Sequence, residues 1–279
     1  MSGTIRTDGG RGRLGSVLSG LAVAVGCVLF LGGFVWGAVL YQPYSVPSDS
    51  MTPTLAVGSK VLAQRIDGDD VRRGDIVIFE DKLWGGVPMV KRVVGVGGDT
   101  VACCDKDGRL TVNGKAVEET YLLPGAPASG QRFSATVPDG SLFLLGDERH
   151  NSLDSRVHLE EAGQGSVPRS AVTGRVDAVV WPMDGVLARP EGFAALPGGI
   201  SQPGPVMPLF YAIVAGCVLI LAGAAYGPLA ARLGGRSGDG SGGRSGGAPG
   251  GGSGGASGGG SGGRGDGTGG RSGKETVST

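Results

Sequence analysis

The stretch "VPMVKRVVGVGGDTV", residues 87–101, sets a lysine and an arginine inside an apolar, β-branched run that closes on two glycines and an aspartate. Within it "PMVKRVVGV" (88–96), a Val-rich run bounded by Gly, Asp and Pro, reads as a strand, and successive residues of a strand point to opposite sides. Strand alternation can therefore turn Lys91 inward, where burial disfavours its charged form. A free lysine, with a pKa of about 10.4, is a poor base at neutral pH, whereas a buried one can be lowered by several units. The competing reading is a plain exposed strand lysine.

Segments of the same kind lie on both sides. "SKVLAQRI" (59–66), "GDIVIFE" (74–80), "RLTVNGKAV" (109–117) and "GSLFLLGD" (140–147) are short, β-branched or alternating, and separated by Gly, Asp, Asn and Pro. Asn113-Gly114 is a strong hairpin signal, because both central positions of a type I′ turn require positive φ. No long amphipathic helix pattern interrupts them, so residues 41–200 are expected to form an all-β domain of antiparallel sheets.

The flanks differ in kind. No charged residue occurs between Leu14 and Ser48, and residues 17–40 are almost continuously apolar. Twenty-four helical residues reach about 36 Å at ~1.5 Å each, enough to cross a bilayer core. A cleaved signal peptide would have an apolar region of only about 7–15 residues. Residues 206–226, "VMPLFYAIVAGCVLILAGAAY", form a second uncharged span without a polar face. Arg6, Arg11 and Arg13 precede the first span, and Arg232, Arg236 and Arg244 follow the second, which predicts both termini in the cytoplasm. Residues 1–16 are then a cytoplasmic N-terminus, and 41–200 lie outside. Residues 229–279, rich in Gly, Ser and Arg, are expected to be a disordered cytoplasmic tail.

The chain has 279 residues with 25 basic and 25 acidic side chains, so its net field offers no case for a nucleic-acid partner. Cys27 and Cys217 fall in the spans. Cys103 and Cys104 are adjacent in the β domain, where a cross-linked pair is open. No His or further Cys stands at zinc-ligand spacing, and "GDERHNSLDSR" (146–156) does not match a calcium loop. No metal or cofactor is expected, and nothing implies an oligomer.

Two elements remain as candidates for chemistry. "VPSDSMTPTL" (46–55) holds Ser48 and Ser50 on a backbone stiffened by Pro47 and Pro53, just beyond the first span. The bases available to a serine are Lys91 and the two histidines, His150 and His158. "GDERHNSLDSR" crowds Asp147, Glu148, Arg149, Asp154 and Arg156 around Ser152. It reads either as a solvated loop or as arginine–carboxylate pairs that fix a neighbouring site.

In this order, "PSDSMTPTL", "RRGDIVIF" (72–79), "VKRVVGVGGDTV" (90–101) and "GDERHNSLDSR" resemble the type I signal peptidases, over about residues 43–182. The resemblance implies a membrane-anchored Ser–Lys serine protease on an all-β fold. It would remove signal peptides from secretory preproteins after small residues, in the A-x-A pattern, beside membrane lipid. It also implies Ser50 as nucleophile, Lys91 as general base and Ser48 as a hydroxyl of the oxyanion hole. Ser152 would orient the lysine, and Asp154, Arg156, Asp147 and Arg149 would support it. Val46, Met51, Leu55, Met89 and Val90 would line the pocket for the last signal-peptide residue; Tyr44 and Ile78 would help form that for the third-last. The last block departs from the family's Gly-Asp-Asn-Arg-Asp-Asn-Ser at Glu148 and His150.

Two further expectations concern the edges of the domain. Trp84 in "LWGGVPM" (83–89) either touches the bilayer interface or packs on the domain itself. Residues beyond about Pro190, past the last motif, are expected to be dispensable for the chemistry.

Overall fold

A computed structural model describes residues 10–234. Helix α1 (Gly10–Leu40) leads directly into strand β1 (Tyr41–Ser45), followed by β2 (Lys60–Gln64), β3 (Ile76–Phe79), β4 (Met89–Val96), β5 (Thr100–Cys103) and β6 (Leu110–Val112). Next come β7 (Lys115–Ala116), β8 (Phe133–Thr136), β9 (Ser141–Leu145), β10 (Val167–Pro168), β11 (Val172–Trp181) and β12 (Gly185–Val186), before helix α2 (Val206–Gly234). Helix α1 begins ahead of the expected span and α2 runs into the segment read as tail. The rest of that tail lies outside the described residues.

The strands form two antiparallel sheets. The larger runs β1-β2-β11-β3-β4-β9-β10, with β12 on β11, and the smaller runs β7-β6-β5-β8. The β6–β7 turn has Asn113 and Gly114 at φ 54 and 76, the left-handed pair that an Asn-Gly hairpin needs. A buried apolar cluster including Val101, Leu110, Phe143 and Phe193 joins the sheets. A second cluster, with Val46, Met51, Leu55, Val61, Ile76 and Ile78, lies beneath residues 46–55. Cys103 and Cys104 are joined as a vicinal disulfide.

The apolar stretches Gly15–Leu40 and Val206–Tyr226 are each long enough to cross a bilayer, and only 11% of each is buried. The helices pack antiparallel on each other: Gly26 faces Gly216, and Ser19 Oγ donates to the Gly223 carbonyl at 2.6 Å. Small residues allow this close approach of backbones.

The residues just beyond Pro190, expected to be dispensable for the chemistry, pack into the domain. Phe193 is fully buried, Arg73 Nη1 donates to the Pro197 carbonyl at 2.5 Å, and Ser201 Oγ donates to Asp75. Removing everything after Pro190 would open the apolar cluster between the sheets, so those residues are not dispensable to the fold. Trp84 takes the second of its two expected places. Its ring meets Phe79 edge-on at 5.2 Å and stacks on His158 at 4.8 Å, while Leu83 and Val87 beside it are exposed.

Candidate active site

Ser50 sits in a tight turn closed by the Thr52 N–H to Asp49 carbonyl and Leu55 N–H to Met51 carbonyl bonds. Met51 and Leu55 anchor the turn from below, both fully buried in the second apolar cluster. From the other side, the Glu148 N–H donates to the Ser50 carbonyl at 3.0 Å. The Glu148 contact uses backbone, so it constrains the side chain little. His150 is exposed, and His158 is engaged with Trp84 and, at 2.7 Å, with Glu161.

The β4 strand delivers the partner. Lys91 lies opposite Val77 of β3, is 2% exposed, and its Nζ donates to Ser50 Oγ at 2.7 Å. Burial pushes its ammonium down to about 8, against the pull of Asp154 and Asp147 and helped by Arg156. A hydroxyl and an amine that is neutral far more often than a free lysine near neutral pH are therefore within proton-transfer distance. Ser48 is exposed, with its Oγ 3.2 Å from Ser50 Oγ. The Ser50 N–H bonds to no backbone carbonyl among the described residues, so it and the Ser48 hydroxyl can serve a developing oxyanion.

Behind the pair lies a buried ionic frame. Arg92 grips Asp147 through Nε at 2.8 Å and Nη2 at 2.6 Å, and its Nη1 donates to the Gly74 carbonyl. Its guanidinium lies 3.8 Å over the Tyr121 ring, and Asp147 also accepts from Thr54 Oγ1 at 2.5 Å. Arg149 donates to Glu119, to the Ala128 carbonyl and to the Gly146 carbonyl. Arg156 holds Asp154 through Nε at 2.8 Å and Nη2 at 2.7 Å, and Asp154 accepts the Gly146 N–H at 3.0 Å. The arginine–carboxylate reading of "GDERHNSLDSR" thus matches the geometry, but two of the partners come from elsewhere. Arg92 and Glu119 were not singled out from the sequence. The signal for Arg92 was a second cation inside the apolar strand; Glu119 carried none.

Ser152 differs from its expected contact. Its Oγ is buried with no hydrogen-bond partner among the described residues, and Lys91 Nζ is turned to Ser50 instead. Ser152 packs so closely on Gly146 that a side chain at position 146 would strike it. A Cβ there would also come within 2.6 Å of the Ser50 carbonyl oxygen. Gly146 is the residue that lets this loop close on the serine turn.

An apolar cleft runs past the pair. Tyr44, Val46, Ser48, Val61, Ile78, Met89 and Val90 line it beside Ser50 and Lys91. Strand β9 joins β4 only from Arg92 onward, which leaves the start of β4 open towards the cleft. Of the seven residues expected to contact substrate, Tyr44, Val46, Ile78, Met89 and Val90 line this cleft. Met51 and Leu55 are not among its lining residues; both are fully buried in the same apolar cluster as Val46, Val61 and Ile78. Ser45, Pro47, Val61 and Pro88 also line it and were not foreseen.

A family model described as "Signal peptidase, peptidase S26" matches residues 17–181. Signal peptidase I of Mycobacterium tuberculosis is 32% identical over 230 residues, covering 63% of this chain and 77% of its own. Signal peptidase I of Bacillus licheniformis is 35% identical over 157 residues, covering 53% of this chain and 80% of its own. A solved signal peptidase I from Enterococcus faecalis aligns with 42% of this chain and 96% of its own, at 29% identity and a TM-score of 0.30.

Proposed function

We propose, for a chain that belongs to the signal peptidase family, peptidase S26, that Ser50 and Lys91 carry out the removal of signal peptides from secretory preproteins. The observation that carries this reading is the 2.7 Å bond between a buried lysine, lowered to about 8, and a serine at the lip of an apolar cleft. Neutral Lys91 takes the Ser50 proton as Oγ attacks the scissile carbonyl. The tetrahedral oxyanion receives the Ser50 N–H and the Ser48 hydroxyl. Lys91 then returns the proton to the departing amine, and water hydrolyses the acyl-enzyme with Lys91 again as base. Ser152 and the Asp147, Arg149, Asp154 and Arg156 frame hold the loop that closes on Ser50.

The cleft accepts the signal peptide as an extended segment. Its apolar walls favour small side chains at the last and third-last positions, the A-x-A pattern, and offer no partner to a charge. Both apolar helices anchor the chain in the cell membrane, with residues 41–200 outside and both termini in the cytoplasm, the side that basic flanks favour.

The test is incubation of purified full-length protein with a preprotein. Wild type should release the signal peptide and Ser50→Ala should not. Equal cleavage by the two proteins, or efficient cleavage after Leu or Lys at the last position, would overturn the assignment.

A further inference from the structure

The roots of both apolar helices meet at one buried carboxylate. Asp177, in β11, is inaccessible to solvent; its Oδ2 accepts the Tyr41 hydroxyl at 3.1 Å and the Gly204 N–H at 3.2 Å. Tyr41 is the first residue after α1, and Gly204 lies two residues before α2. The other oxygen, Oδ1, accepts Arg175 Nε at 3.3 Å and Arg189 Nη2. With the buried Asp75 nearby, two carboxylates face two guanidiniums, so the charge is matched and each group stays in place. Gly204 has no room for a side chain: a Cβ would overlap Asp177 and Tyr41 and come within 2.6 Å of Gln64.

Two further contacts stiffen the junction. Arg65 Nη1 donates to the carbonyls of Ala38, Val39 and Tyr41 at 3.0, 2.7 and 3.2 Å, which caps the end of α1 with a cation where the helix dipole is negative. The helices are also held to each other through Gly26, Gly216 and the Ser19–Gly223 bond. Strand β1, which begins at Tyr41, carries Tyr44 into the cleft wall three residues later. A shift at the root of α1 is thereby a shift of the cleft.

Given the signal-peptide-processing reading, on which this rests, we propose that Asp177, Tyr41 and Gly204 form a latch that fixes the catalytic cleft at one height over the membrane. Asp177 is a positioning residue: it touches no substrate, yet it decides which bond of a membrane-held signal peptide reaches Ser50. A substrate anchored through its own apolar region cannot follow a cleft that tilts or rises. A soluble peptide can.

The experiment compares full-length wild type, Tyr41→Phe, Gly204→Ala and Asp177→Asn in lipid vesicles on two substrates. One is a preprotein inserted through its signal peptide; the other is a short soluble peptide spanning the same cleavage site. Tyr41→Phe and Gly204→Ala should cut preprotein kcat/KM by about tenfold or more, since misplacement of about 1 Å can cost as much as a hundredfold. Peptide cleavage should stay within about twofold, and some preprotein should be cut at a neighbouring bond. Asp177→Asn should show the same split more strongly, and the two milder variants keep the test open if it does not fold. Equal losses on both substrates, or no loss on either, would overturn the latch alone. A wild type that cleaves neither substrate would overturn the processing reading, and the latch's part in it.

Discussion

Lys91 and Arg92 are neighbours in one strand, both 2% exposed, and their charges meet opposite fates. The tip of Lys91 finds a serine hydroxyl, and among the described residues no carboxylate lies within salt-bridge distance of it. Burial therefore discharges it in part and brings it down to about 8. Burial pulls on Arg92 as well. There the Asp147 carboxylate, engaged through two nitrogens, more than offsets that pull and leaves the guanidinium more firmly protonated than a free one. Alternation along a strand sends adjacent side chains apart, so one step in sequence separates a lysine beside a serine hydroxyl from a structural ion pair. Whether a buried cation is reactive depends on the carboxylate facing it, more than on depth.

The largest effect should come from making the two positions alike. Lys91→Arg keeps charge and length but cannot accept a proton, so peptide kcat/KM should fall by about 100- to 10,000-fold with the fold intact. Near-normal turnover by Lys91→Arg would take lysine out of the mechanism and return His150 and His158 as bases. Breaking the structural member comes next. Arg92→Ala leaves Asp147 buried and unpaired and should cost about 3–5 kcal/mol in a denaturant titration. A loss under about 1 kcal/mol would mean that solvent reaches the pair.

The third prediction separates the two by pH. Only neutral Lys91 is a base, so log kcat/KM should rise by about one unit per pH unit below its pKa and level off near pH 8. Arg92 contributes no limb in this range. A limb near the free-lysine value of about 10.4 would mean the lysine is not desolvated. The smallest effect is on stability. Because the folded pKa of Lys91 is depressed, the unfolded chain holds the extra proton between about pH 8 and 10.4, and stability rises with pH across that window. Below pH 8 the whole penalty stands. Lys91→Met should thus raise Tm by a few degrees at pH 7, with the gain shrinking towards pH 10. An equal gain at every pH would assign it to packing instead.

What was legible from the sequence was local. β2, β3, β4, the β6–β7 hairpin and β9 each fall inside a stretch read as strand, because apolar content and turn residues act within a few positions. β1 and β11 were not read. Pro43 interrupts the first, and Gly174, Arg175 and Asp177 break the pattern of the second. Those charges are buried only because Arg189, Tyr41 and Gly204 come from distant parts of the chain to meet them. The same division runs through the site. Ser50 and Lys91 stand out by their immediate surroundings, and the geometry brings them together. Glu119 and the lining residue Val61 take their places through long-range packing that no window reveals. Met51, next to the serine, and Leu55, five residues on, are expected at the pocket by their sequence position, and the turn buries both in the apolar cluster below Ser50.

The position of β11 bears on how the molecule is made. In the sheet it stands between β2 and β3, yet it is synthesised well after both. The half of the sheet that follows Ser50's neighbour β1 and the half that carries Lys91 have no ladder between them until residues 172–181 arrive. The loop whose Glu148 N–H steadies the Ser50 carbonyl also comes late. Such non-local closure is slow. Until residues 172–181 are in place, the strands beside Ser50 and the strand that carries Lys91 belong to separate halves of the sheet, and the geometry that brings the two side chains together is incomplete.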